Sequence, residues 1–187
     1  MSEQFLDQAQ GQMGAIERLL KGLPGIQGYV DKEMRRDADR RVRMLIAEQL
    51  EADKQQLFDV QKQLAKGGLK YLGDVDQSVQ KLQILIDRVK TASYGYAGLF
   101  DTVRIREEQL DALRRFDVAM ARRAGEIDVA VKELAAAASG GDPQAAIDAL
   151  GAKVAELSRL YDRRHEAIVA PDLLLDSGYA PPEEPQS

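Results

Sequence analysis

The one histidine of the chain, His165, follows Asp162 by three residues in the run Asp162-Arg163-Arg164-His165-Glu166. On a helix that spacing puts a carboxylate and an imidazole on one face. Di-iron bundles use Glu-x-x-His pairs of this kind, with further glutamates from neighbouring helices. Here Asp stands for Glu, a second histidine is missing, and two arginines beside the pair oppose a cation. Only a second copy of the chain at a symmetry axis would complete such a site. A metal-binding bundle is therefore the least favoured reading, and a solvated surface histidine is the expectation.

Other chemistry is harder still to place. Gly-Lys-Ser/Thr never occurs, no Gly-x-Gly-x-x-Gly follows a strand, and there is no nucleophile elbow. Adjacent carboxylates such as Glu107 and Glu108 leave a helix in different directions and do not make a catalytic pair. The absence of cysteine excludes disulfides, thiolate catalysis and iron–sulfur ligation. The expectation is a protein that is not an enzyme and needs no cofactor and no metal.

Three groups of residues suit binding better. Arg35, Arg36, Arg40, Arg41 and Arg43 form the densest basic cluster, and Arg36, Arg40 and Arg43 share a helix face. They would suit lipid phosphates or an acidic partner. The alternative is a solvated face with internal pairs such as Asp39 with Arg43. The block 94–100 gathers Tyr94, Tyr96 and Phe100 among glycines at a connection between helices. It reads as a partner platform or as an aromatic plug for the end of a bundle. Leu173, Leu174, Leu175 and Tyr179 stand in a polar, proline-rich tail, as in a docking motif that folds on binding, or else Leu173 to Leu175 cover the bundle's exposed end.

The elements that must carry these residues are helices. Residues 3–21 space Phe5, Leu6, Ala9, Met13, Ile16, Leu19 and Leu20 along one stripe, and the Gly/Pro segment from Gly22 ends it. A long helix over about 31–66 has the seam Ala38, Val42, Leu45, Gln49, Ala52, Gln56, Val60 and Leu64, and stops at Gly67-Gly68. Its two glutamines would face a partner subunit or a wet edge. Asp74 and Gln77 resemble a capping box opening a helix with Val75, Val79, Leu82, Ile86 and Val89 inward, its apolar face widened by Ile84 and Leu85. A second long helix over about 101–138 uses Leu110, Leu113, Phe116, Met120, Ala124, Ile127, Val131 and Leu134. Asp142-Pro143 starts the last, with Ile147, Leu150, Val154, Leu157, Tyr161 and Ile168. Short connectors predict antiparallel neighbours.

The expected fold is all-α: an elongated antiparallel helical bundle of two long and three shorter helices over residues 1–170, with a disordered Pro/acidic tail over 171–187. Composition agrees, with 30% charged and 5% aromatic residues. A net charge of −5 argues against nucleic acid as a partner. No apolar run approaches the roughly 20 residues of a membrane span. The N-terminus lacks a basic and an apolar region of a secretory signal, so the expected location is cytoplasmic. The first helix is amphipathic, but its acidic and basic residues balance, so a membrane surface is a possible partner and not the favoured one.

The blocks Gly22-Leu23-Pro24-Gly25-Ile26-x-Gly28-Tyr29 and Thr91-Ala92-Ser93-Tyr94-Gly95-Tyr96-Ala97-Gly98-Leu99-Phe100-Asp101, set between long charged helices, resemble an uncharacterised family of bacterial all-helical proteins. The resemblance covers about residues 20–165. It implies a coiled-coil-like protein that accompanies membrane scaffolds of the flotillin-like class, and implies no activity and no catalytic residues. Together these readings predict a non-enzymatic scaffold or adaptor that binds another protein or a second copy of itself. The alternative is a peripheral membrane protein using the first helix and Arg36, Arg40 and Arg43.

Overall fold

The computed structural model describes residues 14–15, 17–23, 32–67, 70–91 and 107–163, with backbone alone at 32–36, 39, 67 and 107–113. Every described element is a helix. They are α1 (helical at 14–15 and 17–22), α2 Lys32–Gly67, α3 Leu72–Thr91, α4 Glu107–Ala138 and α5 Gln144–Asp162. The fold is an all-α helical bundle. The predicted tail at 171–187 and the predicted helical residues 3–13 and 101–106 lie outside the described residues, as do Tyr94, Tyr96, Phe100, His165, Leu173, Leu174, Leu175 and Tyr179.

Hydrogen bonds between helices fix their directions. Lys54 reaches Gln83, and Gln61 reaches Asp76, so α2 and α3 are antiparallel. Arg123 and Lys153 share Glu126 and Glu156 between them, which makes α4 and α5 antiparallel too. Gln49 meets Asp128 while Gln63 meets Ser139, so α2 and α4 run parallel. Two hairpins thus lie side by side, α2 against α4 and α3 against α5. Sequence neighbours α3 and α4 sit on a diagonal rather than packing as the antiparallel pair that a short connector predicts; the 15 residues between them exceed such a connector.

The apolar stripes explain these contacts. Val75, Val79, Leu82, Ile86 and Val89 of α3 are buried, as are Phe116, Met120, Ala124, Ile127, Val131 and Leu134 of α4, and Ile147, Leu150, Val154 and Leu157 of α5. On α2 the buried line is Val42, Ile46, Leu50, Leu57, Val60 and Leu64. Leu45 and Gln56 are only half-buried and Ala52 is exposed, so the predicted seam is corrected by a rotation of about one residue in its middle. Ile84 is also corrected: it is 60% exposed and widens nothing, whereas Leu85 is 1% exposed. Ile84→Gln should therefore shift stability by less than ~0.5 kcal/mol, while Leu85→Ala should cost about 2–5 kcal/mol in denaturant unfolding.

Termini follow local chemistry. Asp142 Oδ1 accepts the Gln144 N–H at 3.1 Å and the Tyr71 hydroxyl at 2.9 Å. The Gln144 backbone bond first, and the Tyr71 bond after it, hold the Asp142 carboxyl below its usual range. The α2–α3 turn and the start of α5 are thereby tied together. Asp74 is not the cap of α3, because the helix opens at Leu72 and the Val75 N–H donates to the Tyr71 carbonyl. Asp74 instead lies in the first turn, where a negative charge still favours the helix.

Lengths are unequal. α2 has 36 residues and α3 has 20. Arg43 reaches the Val89 carbonyl and Lys90 reaches Glu51, so residues 32–42 of α2 run past the end of α3, by roughly 16 Å. α4 overshoots the described end of α5 on the same side, since Arg123 already faces Glu156. None of the described helices is long and apolar enough to cross a membrane.

Candidate functional site

Two carboxyl groups lie in the core where a heptad-like seam would have apolar side chains. Asp53 of α2 is 0% exposed and Asp128 of α4 is 3% exposed. Regular spacing puts them there. Ile46, Leu50, Asp53, Leu57 and Val60 repeat at intervals of four and three, so the burial of the apolar members carries Asp53 in with them. On α4 the line Asp117, Ala121, Ala124 and Asp128 does the same, and all four are buried. The small alanines let α2 and α4 approach closely enough for the acids to meet.

Gln49 joins the two acids. Its Nε2 donates to Asp53 Oδ1 at 2.8 Å and to Asp128 Oδ1 at 3.4 Å. Its Oε1 accepts from the Arg18 guanidinium on α1. The opposite amide orientation would aim an oxygen at two acceptors, so the network fixes it. Asp128 Oδ2 takes the Lys132 ammonium at 2.7 Å, one turn along α4. Lys132 is 38% exposed and keeps this edge of the cluster near water.

Asp53 Oδ2 is buried without a hydrogen-bond partner. Burial away from water pushes the Asp53 carboxyl up to about 8; the Gln49 bond opposes this, and the charge and hydrogen bonding of Asp128 add to it. The two effects have one resolution. A hydrogen bond between two carboxyl groups requires a proton, and Oδ2 is the Asp53 oxygen with room to carry it. Protonating Asp53 removes one of the buried charges and gives Oδ2 a proton to donate.

α1 covers this cluster. Ala15 and Leu19 are 5% and 2% exposed, and α1 runs antiparallel to α2 from Arg18 opposite Gln49 to Gly22 opposite Leu45. A Cβ on Gly22 would sit 2.6 Å from Leu45 Cδ1, so glycine lets α1 end this close to α2.

No family model, no curated protein and no solved structure matches this chain.

The residues singled out for chemistry do not converge in the described part. Asp162 forms an ion pair with Arg88, whose guanidinium also reaches Ser158 at 2.8 Å. Among the described residues no three of His, Cys, Asp and Glu stand close enough to hold a metal ion. Arg40 is exposed; Arg43 is half-buried with its Nη1 on the Val89 carbonyl at 3.4 Å; Arg36 is described by its backbone alone. Sequence reasoning flagged Gln49 but missed Asp53 and Asp128. The available signal was a charged residue standing in phase with an apolar stripe.

Proposed function

We propose that the chain is a non-enzymatic helical scaffold or adaptor that holds another protein at the end of the rod where α2 and α4 run past their shorter partners. The observation that carries this reading is that overshoot: among the described residues two parallel helices, α2 and α4, continue past the ends of α3 and α5, with Met44, 41% exposed, where that stretch begins. The burial of the paired acids Asp53 and Asp128 supports the same reading, because among the described residues α1, α2 and α4 stand between Asp53 and a substrate. The predicted partner-binding residues Tyr94, Tyr96 and Phe100 belong to the connection that leaves α3 at this same end. The resemblance to bacterial helical proteins that accompany membrane scaffolds agrees with a partner of that kind.

A photo-crosslinking residue at position 40 or 44 should capture a discrete protein partner in cells, and one at position 133, on the exposed face of α4, should not. Deleting 171–187, or replacing Tyr94 and Tyr96 by Ala, should weaken that capture about tenfold or more. Equal labelling from positions 44 and 133 would sink the proposal. Exposure of Arg40 on the projecting end favours a second reading, a membrane surface. It predicts flotation with anionic vesicles at low salt that is lost with Arg36→Glu and Arg40→Glu together.

A further inference from the structure

The buried acids stand where α1, α2 and α4 meet, and their surroundings decide what they do. From α2 itself only Gln49 turns toward Asp53; Lys54 and Glu51 turn toward Gln83 and Lys90 of α3. From α4 come Asp128 and Lys132. From α1 comes Arg18, through Gln49, while Glu17 and Lys21 pair with each other at 2.6 Å on the exposed side. α3 offers the apolar Leu82, Leu85 and Ile86 to the core, and α5 lies across the diagonal. Asp117, also buried, is three turns from Asp128 along α4. Lys132 is the cation of this set that acts on Asp53, and its ammonium is already bonded to Asp128 Oδ2. A second negative charge in the pair exceeds what that one ammonium balances unless water reaches it.

Lifting α1 is one way for water to reach it. α2 and α4 are each held by long lines of buried side chains. The described part of α1 rests on Ala15 and Leu19, on the partly buried Leu20 and Leu23, and on the Arg18 bond to Gln49. Lifting it uncovers the cluster without parting the four helices that make the bundle.

We propose that Asp53 and Asp128 form a proton-operated latch: while the two carboxyl groups share a proton α1 stays docked over the α2/α4 groove, and when that proton leaves α1 lifts away. Release exposes the apolar edge of α1 that includes Leu19 and opens the groove between α2 and α4. The latch rests on the carboxyl pair and stands whether or not the scaffold reading does.

Amide hydrogen exchange of the full chain between pH 5 and 9, corrected for intrinsic rates, tests it. If lifting α1 hydrates Asp53, the opened state loses a proton that the docked state keeps. Protection of residues 18–22 then falls about tenfold per pH unit and levels off above about 8, where the docked state also loses it. In Asp53→Asn, whose amide donates to Asp128 at every pH, protection of these residues is flat. Flat protection in the unaltered protein, or an unchanged slope in Asp53→Asn, overturns the latch. Should the variant fail to fold, the Asp53 carboxyl carbon in the unaltered protein decides. Its chemical shift moves near pH 8 if the proton is shared, and titration near pH 4 overturns the proposal.

Discussion

Replacing Asp53 by Asn should make the protein more stable, by an amount that grows with pH. The folded carboxyl is raised from its ordinary 3.8 to about 8, chiefly because burial disfavours its charged form. Below about pH 4 the folded and unfolded chains both hold the proton, and the group adds no pH dependence. Between about 4 and 8 only the unfolded chain releases it, so rising pH favours unfolding by about 1.4 kcal/mol per unit. Above 8 both states have lost it and the difference stays constant. Asn keeps a donor toward Asp128 and an acceptor for Gln49 but has no proton to lose. The two unfolding curves should therefore coincide near pH 4 and separate to about 4 kcal/mol at pH 7. This is an upper figure, since an opened cluster takes up water before it bears the whole cost of a second charge. Guanidinium unfolding of both proteins from pH 4 to 9 gives the comparison directly, and parallel curves would mean that Asp53 is ionised in the fold.

The same cluster marks the boundary of what could be read in the sequence. Three helices were legible along their main apolar stripes because those stripes are unbroken. Val75, Val79, Leu82, Ile86 and Val89 repeat with no polar member, and so do the lines on α4 from Phe116 to Leu134 and on α5 from Ile147 to Leu157. Burial of apolar area stabilises such helices more than anything else they can do, and it leaves one way to face. α2 differs because its true line contains Asp53. A pattern read on hydrophobicity steps around an aspartate, and it settled on Leu45 and Gln56, which border the core, and on Ala52, which is exposed. The error is one of phase, corrected only when α4 brings Asp128 up to the same point. Ile84 failed for the opposite reason: an apolar residue beside the stripe gains nothing unless another helix covers it, and among the described residues nothing covers that side of α3. Asp74 lost its expected role because the Tyr71 carbonyl was free to start the helix one turn earlier. The diagonal placement of α3 and α4 depends on tertiary packing that no local pattern encodes.

Gln49 and Gln56 were indistinguishable as sequence, two amides seven residues apart on one expected seam, and they should behave very differently when removed. Gln49→Ala takes the donor from Asp53 Oδ1, one donor from Asp128 and the acceptor from Arg18, and leaves a void between α1, α2 and α4. Each buried group left unsatisfied costs about 1–3 kcal/mol, more when charged, so a loss of about 3–5 kcal/mol is expected near neutral pH. Gln56 is half-exposed, so water replaces what its amide loses, and Gln56→Ala should cost less than ~1 kcal/mol. The two also differ in their linkage to protons. The Gln49 bond is the strongest influence holding the Asp53 carboxyl down. Removing it makes the folded chain hold its proton to higher pH, so stability in Gln49→Ala should go on falling above the pH at which the unaltered protein levels off. Gln56→Ala should keep the original profile. Equal losses from the two substitutions, with equal pH profiles, would show that the core is held by its apolar lines alone. A steeper loss confined to Gln49 would assign one amide the task of holding three helices around a single proton.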